Sequence, residues 1–131
     1  MPRKAPNRKR LENKLDEICS KYIKTRDKWT CQRCRKQYPK GSQGLHWSHF
    51  YSRRHRSVRW DASNSCCHCY YCHSFLGGNP VLFRDWIVGY LGDKEAEKLA
   101  VKAMTTTKWS LADLEYLYAE FEERLKALEA A

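Results

Sequence analysis

The chain has 131 residues, a length that suits a single domain able to bury its own hydrophobic core. Its formal net charge of +10 favours a polyanionic partner such as nucleic acid, although a solvated basic surface without a dedicated partner would carry the same charge. No apolar run is long enough to span a membrane and the N-terminus carries no signal-peptide pattern, so we expect a cytoplasmic protein without membrane contact. In that reducing compartment the seven cysteines indicate metal ligands and spare thiols rather than disulfides.

The N-terminal segment divides into an arm and a helix. Residues 1–10 are rich in Lys and Arg and lack apolar periodicity, which predicts a disordered basic arm. Apolar residues then recur at helical spacing and predict a helix over about residues 8–24, with Cys19 on its buried face. We see no repeat and no second domain, so residues 11–131 are predicted to form one domain.

A short hairpin is predicted in the middle of the chain. Leu45 and Trp47 have the character of one strand and residues 58–60 that of the other, with the polar segment 52–57 between them. His55 in that segment, and His68 farther on, are expected to be exposed.

Four helices are predicted after the hairpin, each with a start or stop signal. One begins at the last CxxC pair and ends near Gly77, the next runs from Pro80 to Gly92, and a third runs from Asp93 to about residue 103. In the last, Ser110 and Asp113 approximate a capping box before an apolar stripe.

Two CxxC pairs predict a structural zinc site. Each CxxC turn presents two thiolates to one point, and two turns together supply the tetrahedral sulfur set that zinc prefers. The spacing leaves one ambiguity, because Cys66 also forms a CxxC with Cys69. We favour the pair that leaves His73 in the first turn of a helix. The expected ligands are Cys31, Cys34, Cys69 and Cys72, and the spare cysteines are Cys19, Cys66 and Cys67.

The segment bracketed by these pairs, together with His73, offers the groups that phosphodiester cleavage requires. His46 and His49 carry imidazoles that can take a proton near neutral pH, and His73 can ligate a divalent cation as a neutral nitrogen donor. Asn64 can orient a histidine through its amide, or it can be an ordinary turn residue. For His46 and His49 the simpler alternative is a hydrogen-bonded structural histidine.

Basic and aromatic residues surround this segment. Guanidinium groups bind phosphates in a bidentate manner, so the arginines beside the candidate base are predicted to contact nucleic acid, with a solvated loop as the alternative. The interleaved aromatic rings can stack on unpaired bases or pack in the core. The arginines are Arg53, Arg54, Arg56 and Arg59, and the aromatic residues are Trp47, Tyr51 and Trp60.

The order of these residues resembles a known family. Asn64, then Cys69 and then Cys72-His73 are similar to the second half of the HNH endonuclease signature, and His49 falls where its first histidine belongs. The segments 49–54 (HFYSRR), 59–64 (RWDASN) and 78–80 (GNP) resemble phage and prophage HNH proteins related to the NinG (Rap) recombination factors. This similarity covers about residues 25–130.

The resemblance implies an α+β fold with a ββα-metal (His-Me finger) core, a two-stranded antiparallel hairpin, a four-cysteine zinc clamp and flanking helices. His49 would be the general base, Asn64 would hold the hairpin loop, and His73 would bind a catalytic Mg²⁺ or Mn²⁺. Relatives with such a clamp commonly carry an aspartate ligand before the base, where this chain has Ser48. His46 and Asp61 are the available reinforcements, and imidazole ligands favour Mn²⁺.

We therefore predict a metal-dependent DNA endonuclease that nicks one strand by a one-metal, histidine general-base mechanism, in phage-type recombination or repair. A zinc-ribbon nucleic-acid-binding protein without catalysis is the alternative, consistent with the missing aspartate, and a zinc-stabilised protein-interaction module is a third hypothesis. Symmetric cutting of two strands would require a homodimer, for which the C-terminal helix would be the interface.

Overall fold

A computed structural model describes residues 4–131, with side chains from residue 7 onward. These residues form an α+β fold with a two-stranded antiparallel hairpin, as predicted. None of the helices in this part of the chain combines the length and hydropathy that a membrane span requires. The elements are α1 (Lys4–Arg26), β1 (Leu45–His49), a 3₁₀ helix (Ala62–Asn64), β2 (Ser65–Cys69), α2 (Tyr70–Gly77), α3 (Pro80–Leu91), α4 (Asp93–Ala103) and α5 (Leu111–Ala130).

Helix α1 is longer than the apolar pattern indicates. It begins at Lys4, so residues 4–10 of the predicted disordered arm are helical, whereas residues 1–3 lie outside the described residues. Pro6 falls in the first turn, where a missing N–H removes no helical hydrogen bond. One turn farther on, Arg8 pairs with Glu12 at 3.2 Å. Lysine and arginine are good helix formers even without an apolar stripe, which explains the difference.

Helices α1 and α5 pack along each other and supply much of the hydrophobic core. The capping box predicted for α5 is present, since Ser110 and Asp113 each accept a backbone N–H of the other at 3.0 Å. Cys19 lies inside this core, and burial raises its pKa to about 12. Apolar burial therefore stabilises this half of the molecule. Its buried side chains include Leu15, Ile23, Leu114, Phe121 and Leu125.

The hairpin differs from the prediction in its second strand. β1 pairs with residues 65–69, so the strand expected at residues 58–60 is wrong. Val58 and Trp60 are buried within the connection instead, and apolar burial in an irregular segment gives the same local pattern as a strand. The true second strand is rich in cysteine and lacks the branched residues that mark strands. Its register is Leu45–Cys69, His46–His68, Trp47–Cys67, Ser48–Cys66 and His49–Ser65.

Two residues at the end of α1 fix the hairpin to that helix. The buried Asp27 carboxylate accepts the backbone N–H of Cys67 and the Nε–H of Arg26, both at 2.9 Å. The Arg26 guanidinium also donates to the carbonyl oxygens of Ala62 at 2.9 Å and Ser65 at 3.1 Å. Arg26 and Asp27 therefore attach β2 to α1. Because both charged groups are hydrogen-bonded, burying them costs much less free energy than burying unpaired charges.

The remaining helices begin and end close to the predicted positions. α2 stops at Gly77, α3 starts at Pro80 and α4 starts at Asp93. Gly92 joins α3 to α4 with a φ of 91°, a left-handed conformation that favours glycine. These boundaries place α2 directly after β2, and hence place His73 near the hairpin.

Candidate functional site

The four predicted zinc ligands come together in space. The Sγ atoms of Cys31, Cys34, Cys69 and Cys72 all lie within 4.8 Å of one another. Those of Cys34 and Cys69 are 3.8 Å apart. Four thiolates held about 2.3 Å from one zinc ion in a tetrahedron would be separated by roughly this distance. The donor set and its spacing therefore fit a structural zinc ion.

Each CxxC turn also carries a hydrogen bond that supports a thiolate. The backbone N–H of Cys34 donates to Cys31 Sγ at 3.5 Å, and that of Cys72 donates to Cys69 Sγ at 3.4 Å. Arg33 Nη1 approaches Cys72 Sγ at 3.4 Å and adds a positive charge. These contacts stabilise the deprotonated form that binds metal.

The spare cysteines lie elsewhere, which resolves the ambiguity of the second pair. Cys66 and Cys67 are buried in β2, and burial raises the pKa of both thiols. Cys66 Sγ contacts His68 Nε2 at 3.5 Å rather than joining the cluster. Cys69 therefore pairs with Cys72, as predicted.

Alternation along β1 divides the candidate histidines between two faces of the hairpin. Successive side chains of a strand point to opposite sides, so His46 and Ser48 share one face while Trp47 and His49 share the other. The first pair faces α2, since His46 contacts that helix through His73 and Tyr70. We call these the α2 face (His46, Ser48) and the α1 face (Trp47, His49).

On the α2 face, His46 and His73 form a close pair. Their Nδ1 atoms are 2.9 Å apart, which is the length of a hydrogen bond between two imidazoles and agrees with the structural alternative for His46. Two donors bound about 2.1 Å from one cation at right angles would also be separated by roughly 3 Å, so the same spacing fits a shared divalent ion. Burial, and secondarily the neighbouring His46, lower the pKa of His73 and favour its neutral, ligating form. Within residues 4–131 no further Cys, His, Asp or Glu completes a metal-binding group with this pair.

Two buried polar groups lie farther along the α2 face. Ser48 stands where the resemblance would place an aspartate, and its Oγ is buried without a hydrogen-bond partner. His68, which we expected to be exposed, is fully buried with its ring 4.8 Å from that of Trp86. Burial lowers the pKa of His68 to about 4. Only its position in a strand, opposite His46, could have indicated this environment.

On the α1 face, His49 packs against Trp47 with 4.1 Å between ring centroids. Its Nε2 is buried and has no hydrogen-bond partner. Burial, followed by the charge of Arg53, lowers the pKa of His49 to about 4, against the opposing effects of the Arg59 backbone and of Asp16. His49 is therefore neutral near pH 7, and its buried Nε2 must become accessible before a water can reach it. It is His46, however, that directly contacts His73.

Asn64 holds the connection that follows His49. The buried side chain accepts the N–H of Tyr51 at 2.9 Å and donates to the carbonyl oxygens of Tyr51 at 2.9 Å and Val58 at 3.1 Å. The backbone carbonyl of Asn64 accepts the N–H of Phe50 at 2.9 Å. Asn64 thus fixes the backbone beside the candidate base, while a role in catalysis stays a prediction.

The four arginines fall into two classes. Arg59 is bonded to the Asp16 carboxylate by two nitrogens, at 2.7 and 3.3 Å, and Arg56 is bonded to Glu12. These two attach the connection to α1. The side chain of Arg53 is 57% exposed with a 3.9 Å contact to Asp16, and Arg54 is exposed. Arg53 and Arg54 are therefore the ones that can meet a phosphate without first breaking a close ion pair.

Comparison with known proteins gives one match that spans the site. A family model described as Bacteriophage Lambda NinG protein matches residues 3–130. No curated protein and no solved structure matches the chain. The matched range contains both cysteine pairs, the histidines of the two hairpin faces and the α1–α5 core. Because the family model covers nearly the whole length, the chain belongs to the NinG family.

Proposed function

We propose that the protein is a metal-dependent DNA endonuclease of the HNH type that nicks one strand and acts in phage DNA recombination. The observation that carries this proposal is the His46–His73 pair, with its Nδ1 atoms 2.9 Å apart beside a zinc-type cysteine cluster. His49 lies in the same short strand as His46. The family match to a phage protein supports the phage context, and the HNH-like residue order supports the nuclease activity.

In this proposal His49 is the general base. Its Nε2 has no protein partner, and its low pKa keeps the ring neutral at physiological pH. A neutral imidazole can take a proton from the attacking water. The low pKa also makes it a weak base, which agrees with slow nicking rather than rapid cleavage.

In this proposal the arginines without a close ion pair bind the phosphate backbone of the DNA. The exposed Arg53 is close to His49, since its guanidinium lies 5.5 Å from the Trp47 ring that packs on His49. A guanidinium can bind a phosphate through two parallel hydrogen bonds and hold it beside the base. Arg54, its neighbour, is the second candidate.

The cation of the proposed reaction would be held by His46 and His73. Such an ion neutralises charge on the phosphate and on the leaving oxygen. Two imidazoles and no carboxylate suit Mn²⁺ better than Mg²⁺, which prefers oxygen ligands. The zinc cluster has a separate, structural role. Its ligand Cys69 is the last residue of β2, and its ligand Cys72 directly precedes His73 in α2. It fixes α2 against the hairpin.

One observation favours the alternative of a nucleic-acid-binding protein without catalysis. The position of the expected aspartate is a buried serine, and the His46–His73 pair has no acidic partner among the described residues. A site with two protein ligands holds a divalent ion weakly. Under this alternative the protein binds DNA but leaves it intact in every divalent metal.

Nicking of supercoiled plasmid separates the two functions. We expect the wild type to nick in Mn²⁺, more slowly in Mg²⁺, and not in EDTA. His49→Ala should lower the rate by about 10² to 10⁴, the usual effect of removing a general base. His55→Ala is the matched control, because that histidine lies in the same connection and its ring meets the Ser52 carbonyl at 3.4 Å and the ring of Tyr51. Nicking that survives unchanged in His49→Ala would overturn the assignment of the base.

A further inference from the structure

A groove runs from the candidate base along the surface between α1 and β1. It has a volume of about 460 Å³, and Trp47 and Trp29 contribute its aromatic lining. Trp47 packs on His49 with 4.1 Å between ring centroids. The groove therefore adjoins the candidate base through the Trp47 ring.

The aromatic lining continues past this groove. Trp29 also lines a second cleft of about 600 Å³, which Tyr38 shares. Trp47, Trp29 and Tyr38 thus form a track of three rings, and we call it the aromatic track. A row of rings offers successive stacking surfaces, which is how many proteins bind unpaired bases without reading their sequence.

Each ring of the aromatic track has a cationic side chain over it. The distances from the charged group to the ring centroid are 5.5 Å for Arg53 on Trp47, 5.7 Å for Lys24 on Trp29 and 5.3 Å for Lys36 on Tyr38. A base stacked on such a ring would displace the flexible side chain but leave its charge within reach of the adjoining phosphate. Each ring of the track is therefore paired with one cation, as each base of a nucleic acid strand is accompanied by one phosphate.

The charges along the groove favour a polyanion. Lys21, Lys24, Lys40 and Arg53 line it together with two carboxylates, Asp16 and Glu17. Asp16 is already engaged by Arg59 at 2.7 Å and by Trp60 Nε1 at 2.8 Å. Glu17 is the remaining carboxylate against four cations in the lining. An acidic peptide would make no use of the aromatic rings, whereas a nucleic acid strand uses both features.

Trp29 is half-buried, so part of its ring packs against the core while the rest lines the groove. Lys28 and Trp29 have φ values of 55° and 54°, in the left-handed region that residues other than glycine rarely adopt. Hydrogen bonds from Trp29 N–H to the Lys24 carbonyl at 2.9 Å and from Tyr38 N–H to the Trp29 carbonyl at 2.8 Å hold this turn. Trp60 is different, since it is buried against Trp109.

From these observations we infer that the aromatic track binds unpaired nucleotides of a DNA strand beside the cleavage site. The inference rests on the proposed function and narrows its substrate class, from DNA in general to DNA with a single-stranded segment next to the cut. Trp29 and Trp47 are the stacking residues, and Lys24, Lys40 and Arg53 bind the adjoining phosphates.

Fluorescence anisotropy without Mn²⁺ or Mg²⁺ tests the inference independently of cleavage. The probes are a labelled oligothymidine, an abasic strand of equal length and charge, and a blunt duplex. We expect the oligothymidine to bind most tightly. Trp29→Leu should weaken its binding roughly 5- to 150-fold, the loss of one base–aromatic stack, and should leave the abasic strand unaffected. Trp29→Phe should retain most of the affinity for the oligothymidine, because phenylalanine still offers a ring for stacking. A loss in Trp29→Leu but not in Trp29→Phe is therefore a loss of stacking rather than of folding.

Tyr116→Leu is the control, because Tyr116 is a 68% exposed aromatic residue on α5, outside the track. Equal affinity of the oligothymidine and the abasic strand, or equal losses in Trp29→Leu and Trp29→Phe, would overturn the inference. Base-dependent binding without nicking of a gapped duplex in Mn²⁺ would instead retain the track and reject the nuclease. Nicking without base-dependent binding would retain the nuclease and reject the track.

Discussion

The two faces of β1 place the same kind of residue in two different environments. On the α2 face, His46 shares a 2.9 Å contact with His73, an arrangement suited to holding a cation. On the α1 face, His49 has no partner for its Nε2 and packs against Trp47, an arrangement suited to accepting a proton. Strand alternation alone creates this division. The cation pair and the candidate base therefore lie on opposite faces of one short strand, and the proposed reaction requires a phosphate that reaches both of them at the end of β1, where His49 lies.

The largest predicted effect comes from removing the cluster that holds both faces in place. Cys72→Ser, or extraction of zinc, should destabilise the hairpin and α2 by on the order of 10 kcal/mol, the contribution of structural zinc in small domains. Because the total stability of a domain is only about 5–15 kcal/mol, the central region should unfold. Metal content, near-UV circular dichroism and the thermal midpoint measure this.

Cys66→Ala provides the control for a buried cysteine outside the cluster. It should keep its zinc and change the thermal midpoint only slightly, because Cys66 contributes a weak contact to His68 at 3.5 Å. If the metal-free protein kept its midpoint and near-UV spectrum, the cysteine cluster would not be what holds the two faces together.

A smaller effect is expected from the connection between the strands. Asn64→Ala removes three hydrogen bonds of a buried side chain, to the N–H and C=O of Tyr51 and to the C=O of Val58. Leaving such groups unsatisfied costs about 1–3 kcal/mol each, so we expect a loss of roughly 3 kcal/mol or more in urea unfolding. Ser63→Ala, at a half-buried neighbour bonded to Asp61 at 2.7 Å, should cost less than Asn64→Ala. Equal losses would show that Asn64 does not anchor the connection.

The pH dependence of stability reports on the α1 face. Burial lowers the pKa of His49 from 6.5 to about 4, so the unfolded chain binds more protons than the folded protein between these values. Stability is therefore fully present above about pH 6.5 and is lost as the pH falls toward 4. Between about pH 7 and pH 5 the wild type should lose roughly 2 kcal/mol more than His49→Gln.

Urea unfolding of both proteins across this range measures the difference. The zinc cluster and His68 are common to both, so their own pH effects cancel in the comparison. Parallel curves would mean that His49 titrates normally and is not buried in the way described.

Local signals in the sequence predicted much of this structure. Each CxxC pair is a short-range chelating turn. The helix boundaries are set by residues within a few positions of them, namely the capping box at Ser110 and the glycine and proline residues at 77, 80 and 92. Such signals do not depend on distant parts of the chain. These local signals were sufficient to predict the cysteine cluster, the last four helices and the position of His73 in α2.

Features that depend on distant partners were not predictable in the same way. The second strand consists of Ser, Cys and His, and its pairing with β1 becomes visible only in three dimensions. Arg56 and Arg59 looked like phosphate-binding residues because Glu12 and Asp16 lie far away in sequence. The contact of His46 with His73 across 27 positions likewise has no local signature.

A titration of plasmid nicking with Mn²⁺ tests the division of roles between the two faces most directly. For His46→Ala and His73→Ala, the account predicts that the half-saturating Mn²⁺ concentration rises by about 10-fold or more, because each removes a ligand. For His49→Ala it predicts an unchanged half-saturating concentration with a maximal rate about 10² to 10⁴ lower. If His46→Ala and His73→Ala titrate like the wild type, the pair on the α2 face is not the cation site and the two faces of β1 do not divide the roles in this way.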